Sequence, residues 1–273
     1  MKRWLAMAAG AAAVLGLAMG SGCRSTSGMI PESGLPPLRV GVSPDYPPVI
    51  YRQGSDIVGL EADLAKALAR TLGRPLQFVE VAWDDQIAAL IAGKTDIIMS
   101  GMTVTGARQI RIEFTDPFLT LGQMALIRSK ESARFPTAKS VMESDAEVGV
   151  QRGSTAEVFA KRTFRSGARV TCLEPKNAPY YLQTGRIDVF LHDGPAIIWL
   201  ASENEADLAV VPEPLTQEAL AWGVRKGDRP LLEAANAALA QWKTDGTLDR
   251  LLRRWLPAHL PVVNSSRAAQ DRK

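Results

Sequence analysis

The feature that constrains the fold most strongly is a pair of short segments with the same spacing and chemistry. They are GKTD at 93–96 and GRID at 185–188. Each leads into a short apolar strand, and five residues after each Asp the strand ends in a polar turn, at Gly101 and at Asp193. Open α/β sheets bind ligands at the carboxyl ends of their strands. The pattern favours two similar lobes that face one another across a cleft. The alternative is that Gly-Lys/Arg-x-Asp is only a common helix-to-strand connection.

Apolar periodicity predicts an α/β chain around these segments. Strands are expected at 39–42, 78–81, 96–99, 121–128, 148–150, 169–173, 188–193 and 208–211. Helices are expected after Gly59 and after Asp84, and over 155–165, 176–183, 195–203, 230–242 and 247–255. Asp56, Glu61 and Asp63 are expected on a solvated face or in the first turn of the helix that follows Gly59.

Composition excludes several classes of protein. An apolar content of 46% in 273 residues is ample for a core, and a net charge of +3 with interspersed signs gives no nucleic-acid footprint. The sequence contains no P-loop, no zinc-type Cys/His spacing and no Gly-x-Ser-x-Gly elbow, and its histidines, His192 and His259, form no sequence cluster. We therefore expect neither a cofactor nor a metal.

The N-terminal residues predict a signal peptide over 1–22. Lys2 and Arg3 precede an apolar stretch from Leu5 to Met19, which is short for a membrane span, and small residues then lead to Cys23. This order is typical of a lipoprotein whose modified residue is Cys23. Because Gly20 stands where such signals usually have Leu, ordinary signal cleavage remains an alternative. Residues 23–37 are predicted to form a tether and residues 261–273 a disordered tail.

The only other cysteine, Cys172, lies in an apolar strand. A buried core thiol is the expected role, and a Cys23–Cys172 disulfide is the alternative.

Arg108 is a candidate anion-binding residue. It follows the polar turn after the strand at 96–99, and its planar guanidinium matches a carboxylate. A surface arginine in a loop is the competing interpretation. The segment QRGST at 151–155 begins a helix, and a helix N-terminus also suits an anion.

The run SGMTVTGARQIRIEFTDPF at 100–118 resembles the signature of the amino-acid-binding proteins of polar amino-acid ABC importers, the bacterial extracellular solute-binding proteins of family 3. The segment LHDGP at 191–195 is similar to a second motif of that family. The resemblance extends over about residues 38–257. It implies a two-lobed, type II periplasmic-binding-protein-like fold with a two-strand hinge. Lobe 1 would comprise residues 38–121 and 218–260, and lobe 2 residues 122–217.

The resemblance also implies a ligand-binding site. Arg108 would bind the α-carboxylate with the N–H groups of Thr103 and Thr155. Asp193 would bind the α-ammonium with the Gly101 carbonyl, although Asp193 is also placed to cap the following helix. Two aromatic residues would cover the ligand side chain; these are Tyr46 and Trp83.

Three further positions bear on the ligand's side chain. Ser43 stands where binders of lysine, arginine and glutamine often have an acid, Gln151 stands where glutamine binders can have Lys, and His192 matches glutamine binders. Without an acid at Ser43, a buried cationic side chain would lose a partner, so a neutral polar amino acid is favoured.

The resemblance implies a monomeric protein, periplasmic or at the cell surface and lipid-anchored to the membrane, that delivers its amino acid to an ABC permease of the inner membrane. It would not be an enzyme. Two alternatives remain: a cyclohexadienyl or arogenate dehydratase-like enzyme on the same fold, and a ligand-sensing module.

Overall fold

The computed structural model describes residues 34–164 and 169–256. The predicted signal peptide, Cys23, residues 23–33 of the tether, His259 and the predicted tail lie outside the described residues. Within the described residues, no helix is long and apolar enough to cross a membrane.

The first of two five-stranded sheets is built from the two ends of the described chain. Its strands, in spatial order, are Leu76–Glu80, Leu38–Val42, Ile97–Ile98, Gly223–Val224 and Glu113–Phe114. The first three are parallel, the fourth is antiparallel to the third, and the fifth is antiparallel to the fourth. Parallel strands of this kind need both faces covered, which explains their continuous apolar sequence.

The second sheet repeats this pattern with the middle of the chain. Its strands, in spatial order, are Val170–Cys172, Val148–Val150, Val189–Asp193, Gln123–Arg128 and Leu208–Val210. Again three strands are parallel, the fourth is antiparallel to the third, and the fifth to the fourth. The α/β class expected from the sequence is confirmed.

Two strands connect the part of the chain that forms the first sheet with the part that forms the second. Leu119–Leu121 and Glu218–Leu220 pair antiparallel, with Thr120 opposite Ala219. At Gly122, just beyond this pair, an added Cβ would lie 2.0 Å from the Thr216 carbonyl oxygen, so the two segments pass too closely for a side chain. The lobe boundaries proposed at 121/122 and 217/218 fall beside this connection.

Helices cover both sheets. The α-helices of the described residues are Leu60–Thr71, Gln86–Ile91, Gly106–Gln109, Ala138–Met142, Thr155–Thr163, Ala178–Gln183, Gly194–Ser202, Arg229–Thr244 and Thr247–Trp255. Short 3₁₀ turns lie at Trp83–Asp85, Ser129–Glu131 and Pro175–Asn177.

A small three-stranded sheet was not expected from the sequence. Its strands are Asp45–Tyr46, Ile50–Gln53 and Asp56–Val58. The prolines at 47 and 48 obscure the alternating pattern of such short strands. This sheet matters for function because it positions Tyr46 and Asp45.

The two segments with matching sequence, 93–96 and 185–188, make the same kind of contacts. Asp96 accepts a hydrogen bond from the backbone N–H of Arg39 and pairs with the guanidinium of the same residue. Asp188 likewise accepts from the backbone N–H of Glu147 and pairs with the guanidinium of Arg128. Each aspartate therefore fixes the start of its own strand to a neighbouring strand.

These two aspartates are expected to stabilise the fold strongly. Asp96→Asn should lower the free energy of unfolding by about 3 kcal/mol, because it leaves the Arg39 and Arg74 guanidinium groups without their shared partner. Asp188→Asn should have a smaller effect of the same sign, since its side chain is more exposed. Urea unfolding measures both. Asp249→Asn, at an exposed helical pair with Arg253, is the control and should leave stability almost unchanged. Equal stability of all three variants would contradict this role.

Candidate ligand-binding site

Nine of the ten residues proposed from the sequence line one small cavity where the two sheets meet. They are Tyr46, Trp83, Gly101, Thr103, Arg108, Gln151, Thr155, His192 and Asp193. The tenth, Ser43, lines a larger adjoining cavity instead. Its hydroxyl donates to the Val81 carbonyl and its N–H donates to Ser100 Oγ, so its polar groups are engaged within its own lobe.

Asp193 is the last residue of the strand Val189–Asp193 and is buried. Its carboxyl accepts hydrogen bonds from the Tyr46 hydroxyl at 2.8 Å and from Gln123 Nε2. It stands at the N-cap position of the following helix, but its side chain makes no capping hydrogen bond. Burial raises the pKa of Asp193 to about 7, with a further contribution from the charge of Glu218, against the opposing effects of Tyr46, Gln123 and Arg108. This carboxyl is therefore directed across the cavity rather than along its own helix.

Arg108 lies in the short helix Gly106–Gln109, whose N-terminus is capped by the Thr105 hydroxyl. Its guanidinium donates to the Thr103 carbonyl at 2.8 Å and to the Gly153 carbonyl at 3.2 Å, and it lies 5.2 Å from the centre of the Trp83 ring. Among the described residues it forms no salt bridge. Burial lowers its pKa, and the nearby carboxyls of Asp193 and Glu218 oppose this effect. The site thus contains a guanidinium that is bonded only to carbonyls.

Gly101 occupies a position that only glycine fits. Its φ is +69°, and an added Cβ would lie 2.4 Å from the Tyr46 ring. Its N–H donates to Glu61 Oε2 at 2.8 Å. The aromatic ring and the carboxyl together hold the turn that precedes Thr103.

Glu61 lies in the first turn of its helix, as expected, but it is fully buried rather than solvated. Helical periodicity places it beside the apolar stripe, and only the tertiary structure shows that the Gly101 turn covers it. Burial raises the pKa of Glu61 to about 8, although the Gly101 N–H opposes this shift. Burial thus favours the protonated, neutral form of this side chain.

His192 is neutral and has a defined orientation. Burial lowers its pKa to about 4. Its Nδ1 accepts from the backbone N–H of Asp193, so the proton is on Nε2, which lies 3.3 Å from Gln151 Oε1. His192 and Gln151 therefore act as one hydrogen-bonded polar pair at the cavity wall.

Gln123 and Glu218 were not identified from the sequence. The Thr155 hydroxyl donates to Glu218 Oε2 at 2.7 Å and accepts from Gln123 Nε2 at 3.1 Å. Glu218 begins one of the two connecting strands, and Gln123 begins the strand of the second sheet that follows the other. Sequence patterns show both segments only as apolar strands. No local signal distinguishes them from solvated polar residues.

The expected role of Cys172 as a buried core thiol is wrong. It is half-buried, lines the larger cavity, and lies 3.5 Å from Glu157 Oε1. The reason is topological, because Val170–Cys172 is an edge strand of the second sheet and is covered on fewer sides. The proposed partner of the alternative disulfide, Cys23, is outside the described residues.

The inner cavity encloses about 20 Å³, which is room for roughly one water molecule. It is bridged from both sides, by Tyr46 to Asp193 and by Arg108 to the Gly153 carbonyl. An amino acid would need more space than this arrangement of the described residues leaves. We name this space the inner site.

The neutral acid at Glu61 should make stability depend on pH. Because the folded-state pKa is raised, its contribution is present below the ordinary pKa of about 4.5 and is lost as the pH rises through 8. Relative to Glu61→Gln, the wild type should lose at most about 1.4 kcal/mol per pH unit across that window. Urea unfolding at several pH values tests this, with the exposed Glu143→Gln as control. A constant difference between wild type and Glu61→Gln would contradict a raised pKa.

Comparison with known proteins places the chain in a family. The family described as bacterial extracellular solute-binding proteins, family 3, matches residues 38–258. The chain is 30% identical to the L-cystine-binding protein TcyJ of Escherichia coli over 81% of this chain and 83% of the relative. It is 31% identical to the arginine-binding extracellular protein ArtP of Bacillus subtilis, over 93% of this chain and 98% of the relative.

A solved structure shows the same fold. It is that of the ancestral amino-acid-binding protein AncCDT-1, described as a precursor of cyclohexadienyl dehydratase. The TM-score is 0.74 at 37% identity, over 80% of this chain and 94% of the other. The chain therefore belongs to family 3 of the bacterial extracellular solute-binding proteins and has the two-lobed type II periplasmic-binding-protein fold.

Proposed function

We propose that this protein captures an amino acid between its two lobes, outside the cytoplasm, and delivers it as a monomer to an ABC permease of the inner membrane, without catalysing a reaction. The observation that carries this proposal is that Arg108 and Asp193 face the same cavity. The two come from different lobes, line the same small cavity and have opposite charges when Asp193 is ionised. A free amino acid is the smallest common ligand that needs both.

The two groups suit the two ends of a zwitterion. Arg108 has donors suited to an α-carboxylate and no acidic partner among the described residues, and the Thr155 backbone N–H at a helix N-terminus adds to this end. Asp193 offers a carboxylate to an α-ammonium, which would replace the weaker donors Tyr46 and Gln123. Gly101 and Thr103 lie between them.

The ligand expected from the sequence is a neutral polar amino acid, and the uncharged wall of the inner site supports this. His192 is uncharged and is paired with the Gln151 amide. Ser43 supplies no charge and is engaged with its own lobe. Trp83 and Tyr46 provide apolar faces for the carbon chain.

Arg108→Ala and Asp193→Ala should each weaken binding by a factor of tens to thousands. Removing either partner leaves one desolvated charge of the ligand unpaired, which costs about 2–5 kcal/mol, and about 1.4 kcal/mol is tenfold in affinity. The measurement is calorimetric titration with the amino acid that gives the largest shift in a thermal-denaturation panel of common amino acids.

The matched control is Arg111→Ala. Arg111 is exposed, lies three residues further along, and makes no side-chain hydrogen bond or ion pair within the described residues. It should bind almost normally. Loss of binding in Arg111→Ala with normal binding in Arg108→Ala would refute the assignment of the carboxylate site.

Anchoring through Cys23 is also part of the proposal. Its basis is the sequence alone, a basic and apolar leader followed by small residues and cysteine. Cys23→Ser should move the protein from the membrane fraction to the soluble fraction or leave it unprocessed. Immunoblotting of fractionated cells measures this, and a wild-type protein found only in the soluble fraction would contradict lipidation.

A dehydratase is the second candidate, favoured by the likeness to a precursor of such an enzyme and by one carboxyl. Asp45 lines the inner site, and burial raises its pKa to about 6, in the range of a general acid. Incubation with prephenate decides between the two. We expect no consumption of prephenate, and its catalytic conversion to an aromatic product would establish the enzyme instead.

A further inference from the structure

A second, larger cavity opens directly from the inner site. We name it the outer chamber; it encloses about 620 Å³ between the two lobes. Asp45, Trp83 and Gln151 line both spaces, so the two adjoin. A ligand held at Arg108 and Asp193 can therefore extend past Trp83 into the outer chamber.

The outer chamber contains charged side chains of both signs that the protein itself leaves unpaired. Within the described residues, five of these side chains form no ion pair and no hydrogen bond with another side chain: Asp45, Asp84, Glu174, Arg152 and Lys176. Glu80, another acid of the chamber, differs because it pairs with Arg52. The five unpaired groups come from both lobes, since Asp45 and Asp84 belong to the first lobe and the other three to the second.

Asp45 is the most informative of the five because it is half-buried where the two spaces meet, whereas the other four are exposed. Burial and the negative charge of Glu174 raise its pKa to about 6, and Lys176 opposes this effect. These three groups therefore lie within electrostatic range of one another. A partly buried carboxyl without a partner is unfavourable in the free protein, and a cation on the ligand would relieve that cost.

A ligand side chain with no charge, or with charge of one sign, would pair with only some of the charged groups in the outer chamber. A neutral side chain leaves Asp45 without a cation. A purely cationic one supplies that cation but faces Arg152 and Lys176, which are also positive. A side chain that ends in both an ammonium and a carboxylate pairs with both sets and keeps the ligand neutral overall.

We propose that the ligand is a diamino dicarboxylic acid, a molecule with an amino-acid group at each end. One end would bind Arg108 and Asp193 in the inner site. The other would lie in the outer chamber, with its ammonium towards Asp45 and Glu174 and its carboxylate towards Arg152 and Lys176. This inference rests on the proposed function and narrows the substrate class of the same site.

A matched series of amino acids tests the distal end. LL-2,6-Diaminopimelate has both distal charges, L-lysine lacks the distal carboxylate, L-2-aminopimelate lacks the distal ammonium, and L-norleucine lacks both. L-Cystine is the same class with one more atom between the two ends. Calorimetric titration should show that diaminopimelate or cystine binds the wild type at least tenfold more tightly than each of the three single-ended compounds.

Variants assign the two charges. Arg152→Ala combined with Lys176→Ala should weaken the double-ended ligand tenfold or more and leave lysine unaffected or slightly tighter. Asp45→Asn should weaken both the double-ended ligand and lysine, with little effect on 2-aminopimelate. The controls are Lys130→Ala and Asp56→Asn. Both residues are exposed, lie outside both cavities and make no side-chain hydrogen bond or ion pair within the described residues.

The outcomes separate this inference from the function on which it rests. If norleucine or another single-ended amino acid binds as tightly as both double-ended compounds, and Arg108→Ala abolishes that binding, the inference is wrong and the proposed function stands. If none of these compounds and no common amino acid binds, both are wrong. Tighter binding of the double-ended ligand that is insensitive to Asp45, Arg152 and Lys176 would also overturn the inference.

Discussion

A carboxyl buried between two lobes must be protonated, paired or hydrogen-bonded, and Asp193 is the residue on which this constraint acts. Its partners come from three places: Tyr46 from the small sheet, Gln123 from the strand after the connection, and the charge of Arg108 from the first lobe. Each of these elements is positioned so that its polar group reaches one point. The closed arrangement of the lobes depends on that convergence.

The same contacts explain how closure and binding can be linked. The Tyr46 hydroxyl and the Gly153 carbonyl make the contacts from lobe to lobe that a ligand's ammonium and carboxylate would otherwise make with Asp193 and Arg108. In such an exchange, bonds to a neutral hydroxyl and a neutral carbonyl are replaced by bonds to the charged groups of the ligand, which are stronger. A ligand then stabilises the closed form only if it presents both charges, and this requirement gives selectivity for zwitterions.

Much of the framework could be predicted from the sequence because it is encoded locally. Asp96 and Asp188 follow the same turn, and each turn precedes an apolar strand, so two equivalent sheets could be expected. Arg108 follows the polar turn after one strand and Asp193 ends another. Both stand within motifs that resemble a known family, and the structure brings both to one cavity. These signals depend on spacing along the chain, which the sequence shows directly.

The residues that sequence reasoning missed are defined by contacts between distant segments. Glu61 lies in the first turn of a helix, yet the Gly101 turn buries it. Gln123 and Glu218 become part of the site only because two connecting strands cross beside Thr155. Asp45 precedes Tyr46 and two prolines, and nothing in that local sequence predicts that it lies where two cavities meet. Burial and charge at such positions follow from the fold as a whole.

The central claim is that both ends of one amino acid are bound at once, by Arg108 and by Asp193. The most direct measurement compares the best ligand with its α-carboxamide and its N-acetyl derivative by calorimetric titration. Each derivative removes one charge and leaves the side chain intact, so both should bind at least tenfold more weakly than the parent amino acid. Unchanged affinity for either derivative would show that the corresponding end is not bound by the residue named here.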